Sequence, residues 1–388
     1  MSRTVDKLLL LAPRWPVPAL RGYERRTLEL VRAQRDRCEV SVVCFATPDA
    51  APLGVDGVHV RTVHRGALSA AAGNLRAPDP RLPGQVRLYL DARMDAAVRE
   101  EVETLRPDVV CAILARMAPY LRHAGPAHRH VDLIDALSLN MLRRAGASSP
   151  PARAALTAEG RLMRAYERRV VAAADSSSLV AEADRAAAPW LASSAVVPMG
   201  VDLEGMPYRS PADRPPVLLF FGNLGYFPNV ESARVAAEEI LPRVRRALPE
   251  ATLRIAGARP TPAVQALDAL DGVTVVGPVD RMADALHGAA AAVVPVYSGS
   301  GMKTKVTEAM AAGTPVVANA MALEGIPEAR PGVEHLQAET YEQLAAHCVT
   351  LLTETAVRER VARAARSMVE DRYAWSARAE DLLRLWRA

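Results

Sequence analysis

Residues able to hold a phosphorylated ligand are gathered between Ala289 and Gly325, AAAAVVPVYSGSGMKTKVTEAMAAGTPVVANAMALEG. Ser298, Gly299, Ser300 and Gly301 make a small, turn-forming stretch. Met302, Lys303 and Lys305 follow it, and Glu308 stands three residues beyond Lys305. A loop of this kind opening into a helix leaves backbone N–H groups unpaired at the positive end of the helix dipole. An anionic group such as a diphosphate is the natural occupant. Lys305 and Glu308 share a face, so the segment offers a cradle, a cation and a carboxylate. The same pair also reads as an exposed i,i+3 ion pair worth only about 0.2–0.5 kcal/mol, and both readings stay open at this level.

These residues need elements to position them. The apolar runs Ala292–Val296 and Pro315–Ala318 predict strands buried on both faces, as in a parallel sheet. Met302, Val306, Ala309 and Met310 make the inward stripe of a helix over Met302–Ala312. The pattern repeats along the chain. Strands are expected at Lys7–Ala12, Glu39–Phe45, Val58–Val63, Asp108–Leu114 and Val131–Ile134, with helices at Leu20–Gln34, Gln85–Leu105, Ala154–Ala174 and Val180–Ala187. A Pro-rich break, PYRSPADRPP, reads as a linker over 206–216. A second alternation then begins with Val217–Phe221, Val230–Ala247, Thr252–Ala256, Pro262–Leu270 and Val273–Val276. Such alternation implies an α/β chain with two doubly wound, Rossmann-like domains, over 1–205 and 217–372, and a helical end over 373–388.

At 388 residues, half of them hydrophobic and 24% charged, the composition is that of a globular chain of two or three domains. The net charge of +4 comes from arginines scattered among Ala and Glu, which argues against nucleic-acid binding. A basic face meeting nucleotide sugars or peripherally touching a membrane surface is compatible with this charge. Cys38, Cys44, Cys111 and Cys348 lack metal-ligand spacing and read as structural thiols. Leu8–Ala12 is too short for a signal peptide, and no run approaches the ~20 apolar residues of a membrane span, so a cytoplasmic protein is expected. The eight histidines show no ligand spacing either, no metal is expected, and His128 and His130 read as surface residues. Glu167 and Arg168 read as structural, with their charges on a solvated face.

The segment KTKVTEAMAAGTPVVANAMALEGI resembles the nucleotide-sugar signature of retaining GT-B glycosyltransferases of the family 4 type (group 1), and is especially similar to the bacterial exopolysaccharide-associated subgroup. The resemblance extends to Phe220–Ala233, Val196–Asp202, Arg161–Asp184 and Ala115–Leu121. It implies two domains facing across a cleft, the first for the acceptor and the second for the donor, with a last helix crossing back. It also implies sugar transfer from a nucleotide diphosphate sugar to a hydroxyl, without bound metal or other cofactor. The leaving phosphate would take the acceptor proton. The loop Pro13–Gly22, with Arg25 and Arg26, resembles the family's glycine loop over the sugar diphosphate, although only Gly22 stands where two glycines are usual; a Pro-rich turn before a solvated basic helix is the other reading. Asp135 occupies the place of an acceptor-side group, or else caps the following helix.

Two departures stand out. After Gly222 the family's diphosphate-neutralising Arg and Lys are Asn223 and Asn229 here, and the first of its two glutamates, eight apart, is Ser300, with Glu308 as the second. Neutral amides do not balance a leaving diphosphate, so the missing charge is expected from Lys305, assisted by Lys303 and the Ser298–Gly301 amides. Glu308 would hold the ribose. A sugar-nucleotide epimerase of the same architecture, a coupling enzyme and an inactive partner subunit are the competing readings. Cell-surface polysaccharide and a glycosylated natural product such as an aminoglycoside are both open as acceptors.

Overall fold

The run Lys7–Ala12 has no polar residue after Lys7, and from Leu8 onward it is buried; it forms β1, in the middle of a parallel sheet. The computed structural model describes residues 4–17, 22–47, 55–64, 81–146, 148–299 and 301–387. The chain divides into two units, Met1–Pro198 with Trp375–Ala388, and Met199–Ala374.

In the first unit β2 (Glu39–Ala46), β3 (His59–His64), β4 (Val109–Ile113), β5 (His128–Ile134), β6 (Ser176–Leu179) and β7 (Ala195–Val196) join β1 in the order β3-β2-β1-β4-β5-β6-β7. All pairs are parallel, and Leu8 lies between Val40 and Val109. The expected helix over 85–105 is two helices, Gly84–Arg87 and Ala92–Leu105. The second starts where Asp91 Oδ1 accepts the Arg93 N–H at 2.9 Å. β6, with the sequence SSSL, escapes apolar patterning altogether, and the helix Leu137–Gly146 is an element that the expected alternation does not include.

A polar network runs through this core. Arg26 Nε donates to Asp132, and both side chains are fully buried. Asp132 Oδ1 also accepts from the Ser178 hydroxyl at 3.1 Å, and the His130 ring bridges Ser176 and Ser178. His130 is therefore not the surface residue its sequence context suggests. Burial pushes its pKa down to about 3, so it stays neutral. The closing helix, Trp375–Arg387, packs here: Gln34 Nε2 donates to the Ala379 carbonyl at 3.0 Å, and the buried Trp386 meets the His130 ring edge-on at 5.7 Å.

The second unit holds β8 (Val217–Phe221), β9 (Thr252–Ala256), β10 (Val273–Gly277), β11 (Ala291–Val294), β12 (Val316–Ala318) and β13 (Leu336–Gln337), ordered β10-β9-β8-β11-β12-β13 and all parallel. β8 reads VLLFF and is buried throughout, as a strand covered on both faces must be. The stretch expected as a linker is packed into this unit. The Arg214 guanidinium donates to the carbonyls of Leu286 and Ala289 at 3.0 Å and to Thr314 Oγ1 at 2.8 Å.

Candidate active site

In each sheet the strand order reverses beside the first strand: between β1 and β4 in one unit, between β8 and β11 in the other. Open α/β sheets bind ligands outside the carboxyl ends of their strands at such a reversal. In the second unit the loops leaving β8 and β11 hold the residues singled out from the sequence.

β8 is followed by Gly222, whose φ is +148°, and β9 by Gly257 at +142°. A Cβ added at Gly257 would lie 1.7 Å from the Gly222 carbonyl oxygen, so the two strand ends touch through bare backbone. A Cβ at Gly222 would lie 3.0 Å from both Lys305 Nζ and Asn229 Nδ2. The missing side chain is what lets the ammonium reach the strand end.

Asn223 and Asn229 hold the turn after β8. Asn223 Oδ1 accepts the Gly225 N–H at 3.1 Å, and Asn229 Nδ2 donates to the Asn223 carbonyl at 2.9 Å. The other side of the Asn229 amide, Oδ1, accepts from Lys305 Nζ at 2.6 Å. Lys305 is thus tied to Asn229 and not to Glu308, which disposes of the simple i,i+3 ion pair. The ammonium also lies 4.4 Å from the centroid of the Phe220 ring. The side chain as a whole is half-buried, but its charged end sits among protein atoms. Burial first, and the Lys303 charge second, lower its pKa to about 7.

The helix that carries Lys305 is Thr304–Ala311, shorter than expected at both ends. Met302 and Lys303 precede it. Lys303 occupies the N-cap position without a side-chain capping bond, and its Nζ donates to the Gly301 carbonyl at 2.7 Å. Gly299 and Gly301 have φ of +110° and +72°, conformations that glycine adopts without strain. Gly299 packs beside Pro228 and Tyr226 of the β8 loop, and Met302 is buried against Gly325. Ser298 donates its hydroxyl proton to Glu231 Oε2 at 2.7 Å, so toward an anionic ligand its backbone N–H is the donor that remains. Ser300 lies outside the described residues. Glu308 is 8% exposed, one turn further along the helix. A partner that the sequence did not flag is Asn319: its side chain pairs with both the N–H and the carbonyl of Val296, at 3.0 and 2.6 Å, holding the ends of β11 and β12 together.

In the first unit Gly22 is the exposed first residue of the helix Gly22–Gln34, Arg25 is half-buried, and residues 18–21 of the preceding loop lie outside the described residues. Arg26 corrects the expectation. Its guanidinium is turned into the core onto Asp132 and the Pro198 carbonyl, and it is not available to a diphosphate. Asp135 is half-buried and follows Ile134, whose φ is +63°, and its N–H donates to the Leu133 carbonyl at 2.7 Å. The helix opens at Leu137, so Asp135 stands one residue short of the capping position. A β-branched residue at positive φ costs on the order of 1–3 kcal/mol and tends to mark functional sites. Leu114, at the end of the neighbouring β4, shares the strain with φ +66°. Among the described residues no three His, Cys, Asp or Glu side chains cluster to hold a metal ion, and no helix is long and apolar enough to cross a membrane.

Residues 215–354 match the family described as Glycosyl transferases group 1, so this part of the chain is a transferase domain. Comparison with solved structures shows a GT-B fold. Sucrose-phosphate synthase from Thermosynechococcus elongatus superposes with a TM-score of 0.73 at 18% identity, with 98% of each chain covered. Anabaena HepE in complex with UDP-glucose gives 0.68 at 16%, covering 97% of this chain and 98% of that one. The α,α-trehalose 6-phosphate synthase from Burkholderia multivorans gives 0.65 at 13%, with 98% of each covered. No curated protein matches the chain by sequence.

Proposed function

We propose that this chain moves a sugar from a nucleotide diphosphate sugar to a hydroxyl group of its acceptor, with the diphosphate held at the carboxyl ends of β8 and β11. The observation that carries this reading is the Lys305 ammonium. It is buried at the end of β8, bonded to an amide, and among the described residues it has no carboxylate within ion-pair distance. A cation kept in a poorly solvated place without a counter-ion is held in its less favoured state, and an arriving diphosphate restores the balance. The uncapped start of the helix Thr304–Ala311 adds N–H donors and a favourable dipole on the same side.

In this reading Lys305 carries the charge that develops on the leaving diphosphate, Lys303 assists, and Glu308 holds the ribose hydroxyls. Stabilising charge at the leaving group is the largest catalytic contribution such a site can make. The resemblance of the 303–326 segment supports retention of configuration, and a glycan or a natural-product hydroxyl as acceptor. The ligand named for Anabaena HepE makes UDP-glucose the first donor to test.

The test is incubation of the purified protein with a panel of nucleotide sugars, with and without simple hydroxyl acceptors, following free nucleoside diphosphate and the anomeric configuration of the product. Slow nucleotide release that an acceptor accelerates, with retained configuration, supports the proposal. Interconversion of the sugars would replace it with an epimerase. Neither release nor transfer with any donor would leave a coupling enzyme or a silent partner subunit.

A further inference from the structure

The long helix Pro150–Ala173 of the first unit carries five arginines and two glutamates, and its two carboxylates are both spent elsewhere. Glu159 accepts the N–H groups of Gly84 and Gln85 at 3.1 and 3.0 Å. Glu167 is fully buried, accepting from the Ser138 N–H and hydroxyl and from Trp190 Nε1 at 3.0 Å. The outer face is left with Arg161, Arg164, Arg168 and Arg169. None of these four forms an ion pair among the described residues, and all are exposed.

They line a groove of about 780 Å³, with Arg81 across from them. Arg169 donates to the Arg81 carbonyl at 3.1 Å, which fixes one edge. The floor is apolar: Leu162, Ala165 and the ring of Trp190, over which the Arg164 guanidinium lies at 4.4 Å. A volume of this size suits a discrete chemical group. Converging guanidiniums select phosphate, which they bind through paired N–H donors. The floor narrows the choice further. A free inorganic anion has no use for Leu162 and Trp190, whereas a phosphate attached to hydrocarbon has, and Trp with arginine stems is the usual composition at a membrane interface. Nucleic acid is disfavoured, because among the described lining residues Trp190 is the single ring, and a strand needs several on which successive bases stack.

We propose that this groove receives the phosphate headgroup of an anionic lipid and sets the first unit against a membrane surface. The proposal does not depend on the donor reading, since the groove shares no residue with the β8–β11 site.

Flotation of the full chain with phosphatidylcholine vesicles, with and without phosphatidylglycerol, tests it. Binding should require the anionic lipid and fade at high salt. Arg161→Gln and Arg168→Gln should each lower the partition about fivefold, and together about twenty-five-fold, the factor for one basic residue near an anionic surface being roughly fivefold. Arg153→Gln, on the same helix but outside the groove, should change it little. These positions are exposed, so thermal melting should not move, and UDP-glucose binding measured without vesicles should be unaltered. Four results would each overturn the assignment: equal binding to neutral vesicles, an Arg153→Gln effect as large as the groove variants, displacement by duplex DNA at equal phosphate concentration, or arginine-dependent binding of pyrophosphate by a protein that ignores vesicles.

Discussion

If the Lys305 ammonium is the counter-charge for the diphosphate, donor affinity must be linked to its protonation. In the ligand-free protein its pKa lies at about 7, lowered from 10.5 by burial and by Lys303. Bound diphosphate favours the charged form and raises the pKa again, so binding above pH 7 draws a proton from solution. With only the protonated form competent, affinity is flat below about pH 6 and falls tenfold per unit above 7, reaching about thirtyfold weaker at pH 8.5. UDP-glucose is the suitable probe, because its diphosphate diester does not itself titrate in this range. Calorimetry in two buffers of different ionisation enthalpy gives both the affinity and the proton uptake, which should approach one per ligand at pH 8.5. Lys305→Met keeps the apolar stem over Phe220 and removes the charge; it should bind weakly and without pH dependence or proton uptake. The same group affects folding in the opposite sense to a paired lysine. Between pH 7 and 10.5 the unfolded chain holds a proton that the folded, ligand-free chain has lost, so Lys305 makes stability rise with pH across that window, and Lys305→Met should remove the rise. Wild-type affinity that is level from pH 6 to 8.5, with no proton uptake, would refute the assignment of Lys305 to the diphosphate.

Three further outcomes follow from the same geometry. Glu308→Gln should weaken nucleoside diphosphate binding by about ten- to a hundredfold, the scale of a charged hydrogen-bond partner lost, while circular dichroism stays native; unaltered affinity would remove Glu308 from the ribose. Gly257→Ala should lower unfolding free energy in urea by more than about 3 kcal/mol or prevent folding, because the added methyl collides with the Gly222 carbonyl; a native-like midpoint would contradict the close approach. Asp132→Asn should destabilise by about 3–5 kcal/mol by leaving the Arg26 charge buried without a counter-ion, and Arg26→Met combined with Asp132→Leu should recover much of the loss; additive losses would argue against the pair.

Strands were the most legible part of the sequence. Val217–Phe221 stands where its apolar run places it, because a strand buried on both faces tolerates little else, and Thr252–Ala256 keeps its expected bounds although Arg254 is exposed. β6 was hidden for the opposite reason. Three of its four residues are serines, and they enter the core only because neighbours answer their hydroxyls: Ser177 pairs with Ser194 at 2.8 Å, Ser176 and Ser178 with His130. Such satisfaction depends on partners tens of residues away, and no local pattern records it. Arg26 was misread in the same way. It sits beside Arg25 in a basic-looking helix start, but Asp132, 106 residues later, draws it into the core.

The candidate site divides along the same line. The Ser298–Gly301 turn and the cation after it are local features, so the sequence displays them. What it does not display is that Asn223 and Asn229 and Lys305 are parts of one arrangement. Taken alone, the two amides look like a loss of charge, since the resemblance places an arginine and a lysine there. In the fold, Asn229 Oδ1 receives Lys305 Nζ from a helix 76 residues away, and Gly222 leaves the space in which they meet. A cation therefore stands at the end of β8 after all, delivered from the β11 side and held by the amide that replaced one. The replacements and the lysine then stand or fall together. Asn229→Ala should loosen the ammonium without removing it, weakening donor binding less than Lys305→Met does, and adding Asn229→Ala to Lys305→Met should cost nothing more. A further loss in that double variant would mean that Asn229 acts on the donor apart from Lys305, directly or through the turn it holds by the Asn223 carbonyl.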